Sequence, residues 1–384
     1  MRILLGLSGG QGHLDPLVPL ARAARSAGHV VAFAARPWMV PNAEDLGFTA
    51  FATGSDRGLT PETRPLLEVD IERELDDLRD GFARRIARER ATDLLPLCRD
   101  WRPDLVVWEE TDFGAAVVAE RMRLPHASVL VTASGSFVRP DRLTEALDEV
   151  RAEHGLPPDP AASMLHPRLV MSPFPATLRD PRYPPPTSLH LMRLDAVQPS
   201  DSAPAPWTTA ARGSPAVYFT LGTVFNHESG DLFGRVLAGL REMPINLLVT
   251  VGREIDPAEL GPQPPNVRVE RYVPQADVLP HVDLVVSHGG SGSVLGAVTH
   301  GHPMVLVPMG ADQPLNAKRC AALGVARVLD AARARPDDVR VAVSAVLEDP
   351  AYRLAAERLR DEIAAMPPPE DAVALLEQLV GESV

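Results

Sequence analysis

Cysteine is nearly absent from this chain. Cys98 and Cys320 are the only two in 384 residues, they lie far apart, and no CxxC pair occurs. That excludes a disulfide framework and a cysteine-built zinc site, and it fits a reducing compartment. Basic charge is also short, with 38 Lys+Arg against 51 Asp+Glu and a formal net charge of −13. A surface of that sign argues against nucleic acid or an anionic membrane as partner. Any phosphate site must then be built from local dipoles rather than from a basic patch. No apolar run approaches the length of a membrane span, so membrane insertion is not expected. The opening MRILLGL meets Ser8, Gly9 and Gly10 at once, which is too short for a secretory signal, and a cytoplasmic location is expected. The histidines at 281, 288, 300 and 302 fall on different predicted elements. Neither a metal nor another cofactor is therefore expected.

What is present is enough apolar material for two cores. The hydrophobic fraction is 45%, and 384 residues exceed what one core usually organises. Arg2–Leu7 is a compact apolar run suited to a buried parallel strand, followed by Leu14, Leu17, Val18, Ala21 and Ala24 at helical spacing. His29–Ala34, Leu105–Trp108 and Ala127–Val131 read as further strands, with a helix around Ala115–Arg123. Prolines then cluster from about Pro157 to Pro215, which reads as loop and linker. A second alternating series follows, with strands at Ala216–Thr220, Leu247–Val251, Leu284–Ser287 and Met304–Val307. Helices fit at Asp231–Glu242, Ser293–His300, Leu315–Leu323 and Asp337–Glu348. Alternating strands and helices predict α/β architecture, with parallel sheets flanked by helices. The expected division is an N-terminal domain over 1–198, a linker over 199–214 and a C-terminal domain over 215–366. The tail, 367–384, carries a short apolar helix placed to cross back onto the first domain.

The strongest chemical signal lies in RYVPQADVLPHVDLVVSHGGSGSVLGAVTHGHPMVLVPMGADQPLNA, residues 271–317. Strand Leu284–Ser287 delivers His288 to its carboxyl end, and Gly289, Gly290, Ser291, Gly292 and Ser293 lead into a helix. Small residues let backbone N–H groups approach an anion, and a helix N-terminus adds partial positive charge, so this reads as a diphosphate cradle. The plainer reading is a tight turn that only reverses the strand into the helix. Tyr272 and Val273 offer a ring and free backbone to a nucleobase. Asp312 and Gln313 set an acceptor beside an amide, which suits adjacent sugar hydroxyls. Nearer the start, SGGQGHLDP places His13 on a glycine turn after the first strand, where a neutral imidazole can take a proton. A carboxylate on its other nitrogen would fix the tautomer. VVWEETDFGAA offers Glu109, Glu110 and Asp112 for that role, unless the segment is only a solvated acidic loop. Asp15 reads as a first-turn helix charge.

The segment 271–317 resembles the donor-binding signature of GT-B-fold glycosyltransferases, the family that includes plant secondary-product and bacterial antibiotic enzymes. Its aromatic–x–Pro–Gln, His–x–Gly and Asp–Gln elements match in order and spacing. The resemblance implies two Rossmann-like domains with the active site in the cleft between them. It implies an inverting, metal-independent transfer of a hexose or deoxyhexose from a nucleotide diphosphate sugar to a hydroxyl of an apolar acceptor. By resemblance His288 and the glycine–serine turn hold the diphosphate, while Tyr272, Val273 and Gln275 border the nucleoside. Asp312 and Gln313 then meet the sugar, Gly222 and Thr223 of TLGT add donors to phosphate, and His13 is the base. Glu109 aligns with the family's dyad carboxylate, and Asp112 stays open as a substitute. Gly296 stands where the plant pattern has a ribose-binding glutamate. That departure points to a donor without a 2′-hydroxyl, such as a thymidine diphosphate sugar.

The acceptor is expected at first-domain loops carrying Trp38, Met39, Phe51, Leu66 and Phe137, which suits a polycyclic or polyketide-like molecule of antibiotic biosynthesis. A homodimer is compatible with the sequence. Three rival readings stand beside this one: a transferase for a lipid-linked cell-wall sugar, a nicotinamide oxidoreductase, and a non-catalytic sugar-nucleotide binder. The first turn lacks GxGxxG, which weakens the oxidoreductase.

Overall fold

A computed structural model of the chain describes residues 1–56, 65–194, 213–223, 225–253 and 255–382. The fold divides into two compact units. The first contains Met1–Leu59, Glu72–Asp195 and Met366–Val384; the second contains Thr60–Ile71 and Ala196–Ala365. Residues 65–71, assigned to the N-terminal domain from sequence, therefore group with the second unit. The expected linker falls almost wholly outside the described residues.

The first unit is built on seven parallel strands: β1 (Arg2–Leu7), β2 (Val30–Ala35), β3 (Thr49–Ala52), β4 (Leu105–Glu109), β5 (His126–Val129), β6 (Val170–Ser172) and β7 (Leu189–Leu191). Their order is β3-β2-β1-β4-β5-β6-β7. The central strand β1 is buried over Ile3–Leu7, as a strand covered by helices on both faces must be. Parallel pairing sets Gly6 opposite Trp108, so the carboxyl ends of β1 and β4 lie side by side. The loops that start at Ser8 and Glu110 are thereby neighbours. Helix Pro369–Gly381 contributes Ala372, Val373, Leu376 and Leu379 to this unit's core, against helix Val18–Ser26.

The second unit repeats the plan with β8 (Ala216–Thr220), β9 (Asn246–Thr250), β10 (Val267–Glu270), β11 (Leu284–Ser287), β12 (Met304–Leu306) and β13 (Ala326–Val328). The order is β10-β9-β8-β11-β12-β13, again all parallel. Thr220 pairs with Ser287 and Ser287 with Leu306. The loops leaving β8, β11 and β12 therefore emerge together, which brings three separate sequence motifs to one sheet edge.

The proline-rich stretch read as loop holds two short strands, β6 and β7, because proline flanks them without entering them. Among the described residues no helix is long and apolar enough to cross a membrane.

Candidate active site

In the first unit Glu109, the last residue of β4, is completely buried. One oxygen accepts from Ser8 N at 3.0 Å and Ser8 Oγ at 2.9 Å. The other accepts from Thr111 N at 2.8 Å and lies 3.0 Å from His13 Nδ1. Thr111 Oγ1 reaches both carboxylate oxygens, and stands 3.3 Å from the same imidazole nitrogen. Burial alone would raise the Glu109 carboxyl; the His13 charge and hydrogen bond, with the Ser8 and Thr111 donors, outweigh it and hold the group at about 2. Glu109 is thus a fixed anion behind a partly exposed imidazole, an arrangement that orients the ring and favours its protonated form.

The other two acids named from sequence are engaged elsewhere. Glu110 accepts from Val131 N, Thr132 N and Thr132 Oγ1 through one oxygen, bracing the end of β5. Asp112 caps helix Phe113–Met122 by accepting from Ala115 N, and both its oxygens are bound by Arg90. Asp112 therefore does not take Glu109's place beside His13. Asp15 is exposed and accepts from Gln11 Nε2 at 2.5 Å.

Sequence reasoning missed Ser8, Thr111 and Phe82. The Phe82 ring lies parallel to the His13 ring, 6.5 Å between centroids and 9° between planes. It comes from a widened, π-helical stretch, Leu78–Ile86, and such stretches recur at functional sites. The apolar residues expected to line an acceptor pocket mostly have other partners. Met39 and Phe137 are buried, Phe51 meets Trp101 edge-on at 6.1 Å, and Leu66 packs on the second unit's core.

In the second unit His288 leaves β11 into a space that glycines keep open. A Cβ on Gly222 would lie 2.7 Å from His288 Cε1 and Nε2, and one on Gly290 2.5 Å from Nε2. Gly222 also has φ +78°, a backbone that side chains adopt poorly. Burial lowers the imidazole to about 4, so the ring is neutral, and its Nδ1 is buried without a partner. Helix Ser291–Thr299 starts at Gly290 with no side-chain cap, which leaves its first N–H groups for an anion. A neutral imidazole beside uncapped amides offers dipoles in place of the missing basic patch.

Both side chains expected at the sugar are tied to neighbouring backbone or side chains. The Gln313 side-chain oxygen accepts from Met309 N at 2.8 Å and Gly310 N at 3.3 Å, so it braces its own loop. The Ser291 hydroxyl, expected on phosphate, donates to Asp312 Oδ2 at 2.5 Å. Tyr272 is exposed, with Arg253 over its ring at 4.2 Å, while Val273 is buried. Thr223 is exposed beside Gly222, and Gly292 and Ser293 lie in the first turn of the uncapped helix. At Gly296 a Cβ would stand 3.0 Å from Leu279 Cδ1 and 3.1 Å from Gln275 Oε1. A side chain at 296 would therefore require those two neighbouring side chains to give way.

Known proteins also treat the chain as an N-terminal and a C-terminal part. Residues 22–174 match the N-terminal domain model, and residues 234–379 the C-terminal domain model, of the erythromycin biosynthesis protein CIII-like family. A 4'-demethylrebeccamycin synthase of Lentzea aerocolonigenes is 31% identical, with 99% of each chain covered. The chain belongs to this family of antibiotic glycosyltransferases. A 3-alpha-mycarosylerythronolide B desosaminyl transferase of Saccharopolyspora erythraea is 28% identical over 99% of this chain and 98% of that one. The glycosyltransferase VinC, solved in complex with DTDP, superposes with a TM-score of 0.76 at 26% identity over 100% of both chains. The spinosyn rhamnosyltransferase SpnG, solved with spinosyn aglycone, gives 0.83 at 26% identity over 98% of this chain and 100% of that one. The two parallel-sheet units are the two halves of a GT-B fold.

The family assignment gives the glycines a testable meaning. Gly222→Ala is expected to weaken nucleotide diphosphate binding by about ten-fold or more, roughly 1.4 kcal/mol, because the new Cβ claims the place of the His288 ring. Calorimetric titration measures it, and unchanged affinity would detach His288 from the ligand.

Proposed function

We propose that this chain is an inverting glycosyltransferase that moves a hexose or deoxyhexose from thymidine diphosphate to a hydroxyl of an apolar natural-product acceptor. The His13–Glu109 contact carries the reading. With Nδ1 turned to the carboxylate, Nε2 takes the acceptor's hydroxyl proton. The acceptor oxygen bonds to the anomeric carbon, and the bond from that carbon to the diphosphate oxygen breaks. One displacement inverts the centre. Negative charge collects on the leaving diphosphate, where uncapped N–H groups and the neutral His288 stabilise it electrostatically without requiring a metal.

Thymidine rather than uridine is supported by Gly296. No carboxylate reaches a ribose from that position, and Gln275 Oε1 beside it offers one amide to a sugar with one fewer hydroxyl. VinC, a relative solved with DTDP, points the same way. The lipid-linked and non-catalytic alternatives have no comparable support.

Displacement of a bound nucleotide by thymidine and uridine diphosphates tests the donor. Thymidine diphosphate is expected to bind at least as tightly. A uridine form favoured ten-fold, about 1.4 kcal/mol, would overturn the preference. Release of the nucleotide diphosphate only when a polyketide-type alcohol is present tests the transfer itself.

A further inference from the structure

Asn316 has no role in the reading so far, yet its side chain joins the two parts of the donor site. It lies in helix Gln313–Ala322 and is buried to 1% exposure. Its amide donates to Asp312 Oδ2 at 2.8 Å and to Gly289 O at 3.1 Å, and lies 3.1 Å from Ser291 Oγ. Ser291 Oγ donates in turn to the same Asp312 oxygen. Gly289 and Ser291 belong to the turn that opens the uncapped helix, and Asp312 to the loop after β12. These segments are more than twenty residues apart in sequence, and they meet through these bonds.

We propose that Asn316, with Ser291, is a positioning residue that couples the diphosphate cradle to the sugar-recognising carboxylate. The proposal rests on the donor reading above. An amide has two N–H hydrogens, and here one holds the turn and the other the carboxylate. Two donors on Oδ2, the Ser291 hydroxyl and the Asn316 amide, fix the rotation of Asp312. Any shift of residues 289–291 when a diphosphate settles is passed to Asp312. The reverse holds equally, because coupling between two binding events is reciprocal. The consequence is discrimination: an intact sugar nucleotide gains from both halves at once, whereas a bare nucleotide diphosphate gains only from the cradle. After transfer the bare nucleotide is held less tightly, which favours product release.

The test compares thymidine diphosphate with thymidine diphosphate hexoses, glucose and rhamnose, by calorimetric titration of the full chain. Wild type should bind at least one hexose form more tightly than the bare nucleotide. Asn316→Ala should lower affinity for that form about ten-fold, and for thymidine diphosphate by less than about three-fold. Ser291→Ala should move the same ratio in the same direction. It serves as the second variant if Asn316→Ala does not fold. On an Asp312→Ala background the Asn316 substitution should no longer alter the ratio. Equal weakening of both ligands would show that Asn316 only holds the turn and would overturn the proposal. So would a wild type that gains nothing from either hexose, with the nucleotide reading left standing. A wild type that binds neither nucleotide would overturn the donor reading itself, and the coupling with it.

Discussion

Glu109→Gln is expected to reduce kcat by about 10²–10⁴-fold, the usual scale for disabling a general base. The reason is more specific than the loss of a charge. Each carboxylate oxygen receives a backbone N–H, one from Ser8 and one from Thr111, and those donors cannot reverse. Whichever way a glutamine amide is turned, its NH2 faces one of them. The side chain is therefore driven out of line with His13 Nδ1, and an unmatched buried donor costs about 1–3 kcal/mol of stability. The pH dependence follows from the depressed carboxyl. With the folded value at about 2 and the ordinary value at 4.5, Glu109 is ionised throughout any usable assay range. Its contribution to stability is complete above the ordinary value and disappears as pH falls toward 2. The acid limb of the rate profile then belongs to His13. Without the carboxylate the imidazolium loses its stabilising neighbour, so the variant's limb should shift to lower pH while the plateau drops. Steady-state rates across pH give both quantities. A wild-type plateau in Glu109→Gln would remove the pair from the mechanism.

How much of this was legible in the sequence depended on distance. Buried parallel strands write themselves as continuous apolar runs, so β1, β8 and β11 carry the boundaries read from sequence. Motifs that follow a strand directly, such as His13 and the turn after His288, come with their location attached. Strands of three residues, such as β6 and β7, are too short to show a period, and the prolines beside them dominate the composition. The choice between Glu109 and Asp112 has a local signal in the sequence. Asp112 stands just before the apolar run FGAAVVA, three residues ahead of the N–H it caps, and that is an N-cap position. Gln313 had no such signal. That its oxygen braces the loop shows only once the backbone of Met309 and Gly310 is placed. Arg90 was invisible for the same reason. ARERATDLL reads as a solvated helical face, and nothing local separates the buried Arg90 from the half-exposed Arg88.

Arg90→Met is expected to cost about 3–5 kcal/mol of stability, the scale for breaking a buried ion pair by removing one partner. Arg90 is fully buried, and all five of its N–H groups have acceptors. Nε and one terminal nitrogen hold Asp112 at 2.7 and 2.5 Å, that nitrogen also reaches Ala34 O, and the other binds Thr53 O and Oγ1. One side chain thus ties helix Ala87–Trp101 to the ends of β2 and β3 and to the cap of the next helix. The surroundings are closed to rearrangement. A Cβ on Gly114 would lie 2.8 Å from Arg90 Cβ, and one on Gly6 2.6 Å from Asp112 Oδ2. Methionine fills most of the volume but leaves the carboxylate alone in the interior, with Glu109 nearby as a second negative charge. Burial pushes the Asp112 carboxyl up, and the Arg90 charge opposes it. Once Arg90 is gone, the folded state holds a proton there that the unfolded state releases. Stability then falls as pH rises, so the deficit of Arg90→Met should be smaller at pH 5 than at pH 8. Asp112→Asn added to Arg90→Met removes the stranded charge and should restore part of the loss, with the pH dependence flattened. Denaturant melts of the wild type, both single variants and the double variant at the two pH values supply the complete cycle. A deficit under about 1 kcal/mol, or one that grows as pH falls, would show that the pair is not the clamp its geometry describes.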